Sequence, residues 1–374
     1  ELCRYRSARR RVREVGFDFK PLEKIVHAEP SKAMLERLNH MDGKEQNSRE
    51  VEAVMGTIER PKETIRDAFK LYCDKLSISE TSRKSPEQIV RWRATKSRSV
   101  EHFVALCGNL AMDELNRKHG RTFFDWWGER LRPDNKEGHT YRPNSANREL
   151  GNLRQLFREY WTYQGEEDRE NPFRKLRFKD TPIESTPSFP DVWVQDKLLK
   201  PRALEGINPD AQLIAYALIE TGCRPSEIAN IRPESIRLDA EVPHIRIRPT
   251  AKRELKSAAS SRDVPLVGVS LEAFKRAPNG FPRYHDRGNS LSAALLKAFH
   301  SRGLMPTDKH RIYSFRHALE KRMQEAGLDY GLRCTLMGHK NNRPQYGDGG
   351  SLAYRQKELL KIVHPLTVSF IESL

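Results

Sequence analysis

Apolar residues in the first half of the chain recur at the three- and four-residue intervals of amphipathic helices. The pattern is clearest at residues 65–72, 100–106 and 150–160. No stretch between residues 62 and 174 alternates apolar and polar positions in the manner of a strand. We therefore predict an all-α domain of about four or five helices at residues 58–175.

The second half of the chain mixes the helical period with the strand period. Residues 213–218 place their apolar side chains on one helix face, whereas residues 244–249 alternate like a half-buried strand and residues 263–266 offer it a partner. The pattern predicts a mainly α (α+β) domain with a small antiparallel sheet at residues 195–374. Three prolines and a lack of periodicity mark residues 176–194 as a linker between the two domains.

Residues 1–57 carry dense charge and short helical patterns, the clearest at residues 32–39. A basic run, Arg9-Arg-Arg-Val-Arg13, lies near the start. We expect an accessory helical region, which is either a solvated arm or an arm that contacts a polyanion. Because the chain starts at Glu1 rather than Met, we also expect its true beginning to precede this residue.

The charge balance favours a polyanionic partner. Lys and Arg number 67 against 51 Asp and Glu, which gives a formal net charge of +16 spread along the chain. Five cysteines without a CxxC pair argue against both a disulfide framework and a zinc site, and they fit a reducing compartment. No stretch approaches the ~20 apolar residues of a membrane span. We expect a cytoplasmic, nucleoid-associated protein that binds nucleic acid and no membrane.

Two basic segments of the helical domain are candidates for contacts with DNA phosphates. The predicted DNA-binding residues are Arg83, Lys84, Arg91, Arg93, Lys96 and Arg98 in the first segment, and Arg142, Ser145, Asn147 and Arg148 in the second. The second segment leads into a long helix, whose first N–H groups add positive potential for a phosphate. Capping of that helix would explain Ser145 and Asn147 equally well.

The first segment with candidate chemistry is Thr221-Gly-Cys-Arg-Pro-Ser-Glu227. A helix breaks at its Thr-Gly pair, so Arg224 is presented on a turn. Glu227 follows three residues later, where it can hold the next helix start or the arginine by a charge-assisted hydrogen bond. Arginine suits phosphate because its planar guanidinium binds two oxygens at once.

Two later segments add further groups of this kind. Tyr313-Ser-Phe-Arg-His317 contains a second arginine, Arg316. In Leu336-Met-Gly-His-Lys340 a glycine is predicted to end a short helix, so that His339 emerges just beyond it. Two guanidiniums together would stabilise the charge that builds on a phosphate during phosphodiester transfer.

These segments, in this order, resemble the sequence boxes of the tyrosine recombinases, the family that includes the phage integrases. The resemblance implies that Arg224 and Arg316 clamp the scissile phosphate and that His339 hydrogen-bonds to it. It extends from about residue 62 to the C-terminus. The helical domain, with Pro143-Asn-Ser-Ala-Asn-Arg-Glu-Leu150, resembles the core-binding (SAM-like) domain of integrases.

Residues 252–266, which end in Arg-Asp-Val-Pro-Leu, resemble the hairpin that delivers the catalytic lysine of this family. We assign that lysine to Lys256, with Lys252 as the alternative. A lysine surrounded by other cations gives up its proton readily, which suits it to protonate the leaving 5′ oxygen.

Tyr313 departs from the family pattern, because most members have histidine at this position. A phenol does not accept a proton near neutral pH as an imidazole does, although it still donates a hydrogen bond to phosphate. We keep Tyr313 in the predicted site. His317 and His310 are the candidates to supply an imidazole nearby, and His317 is also a candidate for simple helix packing.

The nucleophile of the family is a tyrosine that follows the Gly-His box. We assign it to Tyr346, whose glycine-rich surroundings allow an exposed and adjustable backbone. Tyr354 is the alternative, but it lies in a helical pattern that favours packing. Apolar residues from 352 to 374 are expected to pack on their own domain or to dock on a neighbouring protomer.

The resemblance implies a DNA strand transferase that integrates or excises a mobile element through a 3′-phosphotyrosyl intermediate, without metal, ATP or organic cofactor. Its partners would be double-stranded recombination sites and copies of itself, as a dimer on one site and a tetramer at synapsis. Accessory DNA-bending proteins are a further expected class of partner. The alternatives are a DNA-binding regulator that has lost activity, suggested by Tyr313, and a type IB topoisomerase.

Overall fold

The structure, a computed structural model, forms two compact units. It describes residues 2–27, 30–45, 48–58, 62–135, 137–182, 185–341 and 349–374. The first unit consists of Glu1–Ser77 and Thr95–Asp180, and the second consists of Ile78–Ala94 and Thr181–Leu374. Within the described ranges, no helix is both long and apolar enough to cross a membrane.

In its described part, the first unit is built from helices joined by loops, with an isolated β-bridge between Thr64 and Ala111. Its helices are α1 (Leu2–Glu14), α2 (Leu22–His27), α3 (Pro30–Met41), α4 (Arg49–Val54), α5 (Ile65–Leu71), a π-helical turn (Tyr72–Leu76), the later turns of α7 (Pro86–Cys107), α8 (Arg117–Arg130) and α9 (Pro143–Gln164). A short helix, α6 (Ile78–Thr81), and the first turns of α7 belong to the second unit.

The predicted helical pattern of the first unit corresponds to its core. Phe103, Leu153 and Phe157 are buried there, together with Phe123 of α8. The N-terminal helices have a small core of their own, in which Val12 of α1 is buried against α4. The predicted patterns at residues 65–72 and 150–160 thus mark α5 and α9, each of which buries an apolar face in this unit.

The second unit combines helices with one small sheet. After α6 and the start of α7, its elements are α10 (Asp191–Trp193), a π-helical turn (Val194–Leu198), α11 (Pro209–Thr221), α12 (Pro225–Ala229), β1 (Ile236–Arg237), β2 (His244–Ile247), β3 (Arg262–Pro265), α13 (Gly268–Arg276), α14 (Gly288–Ser301), α15 (Ser314–Glu325), α16 (Tyr330–Met337), α17 (Leu352–Leu360) and α18 (Val368–Ser373). Short 3-10 turns lie at Pro233–Ser235, Ala258–Ser260 and Pro282–Tyr284.

The antiparallel sheet confirms the predicted strand pair and adds a short third strand. The order is β1-β2-β3, and Ile245 pairs with Ile236 on one side and with Val264 on the other. The mainly helical fold with a small antiparallel sheet is therefore as predicted.

Helix α11 differs from the prediction, because it is buried on all sides rather than on one face. Every residue from 213 to 221 is buried, and α13, α14 and α15 all pack against this helix. Asn208 caps its start by accepting a hydrogen bond from the N–H of Ala211. A helix that is apolar all round lies at the centre of a core.

A residue of the predicted linker and a residue near the C-terminus both contribute to that core. Phe189 lies in the predicted linker, but it is buried and stacks on Phe315 with ring centroids 4.4 Å apart. At the C-terminus, Phe370 of α18 is buried with its ring edge-on to Tyr216 at 5.3 Å. The C-terminal segment was expected either to pack on its own domain or to dock on a neighbouring protomer. Phe370 packs on its own unit.

Candidate active site

Arg224 lies on the turn predicted from its motif, between two helices of the second unit. Gly222 ends α11 in the left-handed conformation, with φ of 57°. A Cβ at this position would lie 2.7 Å from Leu319 and 2.8 Å from Met337. Glycine is therefore required both for the backbone angle and for the space. The turn makes Arg224 the N-cap residue of α12.

A buried carboxylate, Glu227, orients Arg224. Its Oε1 accepts a hydrogen bond from Nη1 of Arg224 at 2.5 Å, and its Oε2 accepts one from the backbone N–H of Arg224 at 3.0 Å. Arg262 of β3 donates to Oε2 of the same carboxylate at 2.9 Å. Burial by itself would raise the pKa of Glu227, but the charges and hydrogen bonds of Arg262 and Arg224 lower it. Glu227 thus stays ionised and holds both guanidiniums.

Arg316 is buried where the three motif segments meet, and it joins two of them. Its Nη1 donates to the carbonyl of Gly222 at 2.6 Å, and its Nη2 donates to the carbonyl of Met337. These carbonyls lie at the ends of α11 and α16, just before Arg224 and His339. Burial, and then the charges of nearby arginines, lower the pKa of Arg316. An arginine nevertheless remains charged at neutral pH.

Gly338 brings the third segment against β3. It is left-handed, with φ of 63°, and a Cβ there would lie 2.8 Å from Nη1 of Arg262 and 3.1 Å from Cα of Ser260. Ser260 in turn accepts a hydrogen bond from Arg224 through its hydroxyl at 2.9 Å. The close approach at Gly338 therefore places the start of the next residue, His339, near Arg224.

His339 emerges beyond Gly338, as its motif predicted, and its side chain is about 45% exposed. Its Nδ1 lies 3.6 Å from Oε2 of Glu320 on α15. Partial burial, followed by the charges of Arg316 and Arg224, lowers the pKa of His339 to about 4. The imidazole is therefore neutral at neutral pH in the absence of an anion.

Lys256 lies in the exposed hairpin between β2 and β3. It lines a pocket of about 340 Å³ together with Arg224, Ser226 and Gln88. Lys252 lines a different pocket of about 490 Å³, in which Arg246 is one of several basic residues. The structure thus places Lys256, rather than Lys252, in the same pocket as Arg224.

Tyr313 directly precedes α15 and is half-buried. The ring of His317 stands edge-on to it at 5.3 Å between centroids. Burial and the charge of Arg316 lower the pKa of His317. His310 is buried elsewhere, where its Nδ1 lies 2.8 Å from the hydroxyl of Thr307. Of the two imidazoles considered, His317 is therefore the one beside Tyr313.

The predicted nucleophile, Tyr346, lies outside the described residues. The alternative, Tyr354, lies in the first turn of α17 with its side chain exposed. Its backbone N–H donates to the hydroxyl of Ser351, which caps this helix. The choice between the two tyrosines stays a prediction.

The basic residues predicted to bind DNA fall into both units. In the second unit, Arg83 and Arg93 are exposed. Lys84 is paired with Glu254 at 2.7 Å, and Arg91 is paired with Glu87.

In the first unit, some of the predicted DNA-binding residues are exposed, and others are hydrogen-bonded within the protein. Arg98, Arg142 and Arg148 are exposed, and Ser145 is partly buried in the first turn of α9. Lys96 is buried and donates to Gln155 at 2.8 Å. Asn147 donates to the carbonyl of Phe178 at 3.0 Å and accepts from its N–H at 2.8 Å. The last two therefore have structural contacts of their own.

Arg262 is part of the site, although the sequence interpretation gave it no role. It donates to the carbonyls of Leu336 and Ser260, each at 2.8 Å, as well as to Glu227. The alternation of β3 was a signal that could have found it, because Arg262 and Val264 occupy the same buried face. A charged residue on a core-facing position is expected to have partners.

The comparisons with known proteins identify the fold. Neither a family model nor a curated protein matches the sequence. Lambda integrase, in a dimer bound to a COC′ core site, matches with a TM-score of 0.54 at 12% identity, over 78% of this chain and 81% of that chain. A shorter lambda integrase chain matches with a TM-score of 0.51 at 11% identity, over 79% and 95%. The Tn1549 transposon integrase, in complex with circular intermediate DNA, matches with a TM-score of 0.50 at 16% identity, over 83% and 98%.

The chain therefore has the fold of the integrases, which are tyrosine recombinases. The resemblance predicted from its short motifs is confirmed at the level of the fold.

Proposed function

We propose that this chain is a site-specific tyrosine recombinase that cleaves and rejoins double-stranded DNA and so integrates or excises a mobile element. One observation carries the proposal. Arg316 donates to the carbonyls of Gly222 and Met337, so that three separate segments of the sequence meet and bring Arg224, Arg316 and His339 together. Such a concentration of positive charge is suited to a phosphate group.

The reaction we propose is a transfer of one phosphodiester bond to the protein. The Tyr346 hydroxyl gives its proton to a base, for which His317 is the candidate, and attacks the phosphorus, while the bond from phosphorus to the 5′ oxygen breaks. Arg224, Arg316 and His339 stabilise the charge on the non-bridging oxygens. Lys256 gives a proton to the leaving 5′ oxygen, and its place in the Arg224 pocket supports this role over Lys252.

The reverse steps rejoin the strand. A 3′-phosphotyrosyl link retains the energy of the broken bond, so that the reaction needs no ATP, metal or organic cofactor. Tyr313 lies where the family has an imidazole, and we propose that its hydroxyl donates to the phosphate. His317, whose ring lies beside it, is the nearer candidate for accepting a proton.

We propose the domain organisation that the sequence predicted. An accessory helical region at 1–57 precedes a core-binding, SAM-like domain at 58–175, and a linker at 176–194 leads to the catalytic domain at 195–374. The exposed basic residues Arg83, Arg93, Arg98, Arg142 and Arg148 are the first candidates for phosphate contacts.

Assembly follows from the same proposal. We propose a dimer on one site and a tetramer at synapsis, with accessory DNA-bending proteins as further partners. Because the substrate is cellular DNA, the place of action would be the cytoplasm, in association with the nucleoid.

A nicked suicide duplex tests the class of enzyme and the nucleophile together. We expect the wild-type protein to form an SDS-stable protein–DNA band, and Tyr346→Phe to lose the band while still shifting DNA in a gel. Tyr354→Phe is the matched control and is expected to keep the band. The opposite pattern in the two variants would move the assignment to Tyr354.

A second outcome separates the enzyme from a regulator. The replacement of histidine by Tyr313 is the feature that favours a non-catalytic, DNA-binding relative. If the wild-type protein shifts a recombination site but forms no covalent band with any substrate, the regulator is the better interpretation. Relaxation of supercoiled DNA without preference for a site would instead indicate a topoisomerase.

A further inference from the structure

The hairpin that carries Lys256 is anchored by a residue far away in the sequence. The side-chain Nε2 of Gln88 donates to the carbonyl of Glu254 at 2.9 Å, and the N–H of Glu254 donates back to Oε1 of Gln88 at 3.4 Å. One side-chain amide thus binds both backbone polar groups of a residue two positions before Lys256. A neighbouring strand would satisfy the same two groups in the same way.

Gln88 is itself held in place by the start of α7. Its Oε1 accepts the N–H of Ser85 at 2.9 Å, and its own N–H donates to the hydroxyl of Ser85 at 3.3 Å. This reciprocal pattern is a capping box, in which the fourth residue returns the hydrogen bond of the first. The box fixes the position of the Gln88 amide relative to the helix axis.

The start of α7 is also fixed to the body of the second unit. Asp286 accepts hydrogen bonds from the hydroxyl of Ser85 and from the N–H of Glu87 at 3.0 Å. The carboxylate of Glu87 accepts in return from the N–H groups of Gly288 at 2.9 Å and Asn289 at 3.1 Å, at the start of α14. The two helix starts therefore cap one another, which gives Gln88 a rigid base.

The contact lies next to the candidate chemistry. Gln88 lines the same pocket of about 340 Å³ as Arg224 and Lys256. The neighbouring residue Arg253 adds a second fastening for the hairpin, because its Nη2 donates to the carbonyl of Ser226 at 3.2 Å. Lys256 itself is exposed, so the position of its amine depends on how firmly this backbone is held.

We propose that Gln88 is a positioning residue for proton transfer by Lys256, because its amide sets the position of the hairpin backbone relative to Arg224. The inference rests on the proposed function. During cleavage the bond from phosphorus to the 5′ oxygen breaks as the tyrosine bond forms, and the Lys256 ammonium gives its proton to that oxygen. In this role Gln88 acts on the proton transfer through the backbone of Glu254.

A change of the leaving atom tests this role directly. In a suicide duplex with a 5′-bridging phosphorothiolate, sulfur replaces the 5′ oxygen, and a thiolate leaves without needing a proton because thiols are far more acidic than alcohols. We expect Gln88→Ala to cleave the oxygen substrate roughly 10- to 100-fold more slowly than wild type, since misplacement of a catalytic group by about 1 Å has effects of this size. The same variant should cleave the sulfur substrate at the wild-type rate.

Two further variants make the result specific. Lys256→Ala should show the same selective rescue, and the double variant Gln88→Ala/Lys256→Ala should be no slower than Lys256→Ala alone, because the two residues act in one step. Gln195→Ala is the matched control. Its amide donates to the carbonyl of Pro365 at 3.0 Å, away from the Lys256 pocket, and its loss should leave both cleavage rates unchanged.

The outcomes separate this inference from the proposed function. If the wild-type protein forms no covalent product with either substrate, the proposed function is wrong and the inference falls with it. If wild type cleaves but Gln88→Ala is equally slow on both substrates, or is as fast as wild type on both, only the role of Gln88 is wrong. Thermal unfolding of each variant shows whether a rate change reflects loss of folded protein.

Discussion

Arg224, Arg262 and Arg316 form an arginine cluster, and Lys256 lies on the hairpin between β2 and β3, here called the lysine hairpin. Both belong to the second unit, but they are held in opposite ways. Arg316 and Arg262 are buried, and each donates to two backbone carbonyls at the ends of other elements. Lys256 is exposed on a hairpin whose fastening includes the side chains of Gln88 and Arg253.

The difference is physically reasonable for phosphoryl transfer. Donors that stabilise developing charge work best when they are already in place, because no reorganisation is then needed during the reaction. An acid must instead approach one oxygen of a large substrate, and a hairpin can adjust for that. Substitutions in the arginine cluster should therefore lower both the cleavage rate and the free energy of unfolding. Substitutions of Lys256 should lower the cleavage rate alone.

Arg316→Ala is expected to have the largest effect. It leaves the carbonyls of Gly222 and Met337 buried without a donor, so the free energy of unfolding should fall by about 2–5 kcal/mol. Cleavage should also fall by roughly 1,000-fold or more as the phosphate clamp is lost. Urea unfolding and single-turnover cleavage measure the two effects. If Arg316→Ala lost cleavage but kept the wild-type free energy of unfolding, the hydrogen bonds of Arg316 to Gly222 and Met337 would not contribute to stability.

Lys256→Ala should reduce cleavage by roughly 100- to 10,000-fold, the usual range for loss of a general acid, and leave stability unchanged. Lys252→Ala is the matched control on the same hairpin, and we expect it to keep most of the activity. The same two measurements apply. A larger loss of cleavage in Lys252→Ala would reassign the acid.

Gly338→Ala tests the link between the cluster and His339. The new Cβ would meet Arg262 at 2.8 Å in a left-handed backbone. Gly327→Ala is the matched control, because Gly327 is also left-handed, with φ of 71°, but no atom lies within 4 Å of its Cβ position. Both variants should lose about 1–2 kcal/mol of stability from the backbone angle. Only Gly338→Ala should lose more than that and also slow cleavage.

The smallest effect concerns pH. The pKa of His339 is lowered to about 4 in the folded protein, whereas an unperturbed histidine titrates near 6.5. The unfolded chain therefore binds this proton first, and stability falls as the pH drops from about 6.5 to 4. His339→Gln should flatten that part of the stability curve, and an NMR titration should place the midpoint near 4.

Added DNA sharpens the pH result. A bound phosphate offsets the charges of Arg224 and Arg316, so the NMR midpoint of His339 should move upward. If the NMR midpoint of His339 stayed the same when DNA was bound, His339 would lie outside the phosphate site.

The motif residues were predictable because each motif combines a local backbone signal with its chemistry. Gly222 and Gly338 mark helix ends in the sequence, and the residues after them emerge at turns in the structure. The strand pair at residues 244–247 and 262–265 was likewise visible from alternation. Periodicity reports local geometry, and these features are local.

Other features were not predictable from local pattern. Phe189 looked like part of a linker, but it stacks on Phe315, more than a hundred residues away. Helix α11 looked amphipathic, but it is buried on all sides, because the surrounding helices cover its second face. Each depends on which distant segments pack together, and no short window of sequence contains that information.

The amino-acid sequence alone specified the helical and strand segments, the candidate chemical groups and their order along the chain. The tertiary structure decided which of those groups meet, through the contacts of Arg316 with two helix ends, of Glu227 with two arginines and of Gln88 with the lysine hairpin. The physical reason is that dihedral preferences and turn chemistry act over a few residues, whereas burial and hydrogen bonding act between segments brought together only by folding.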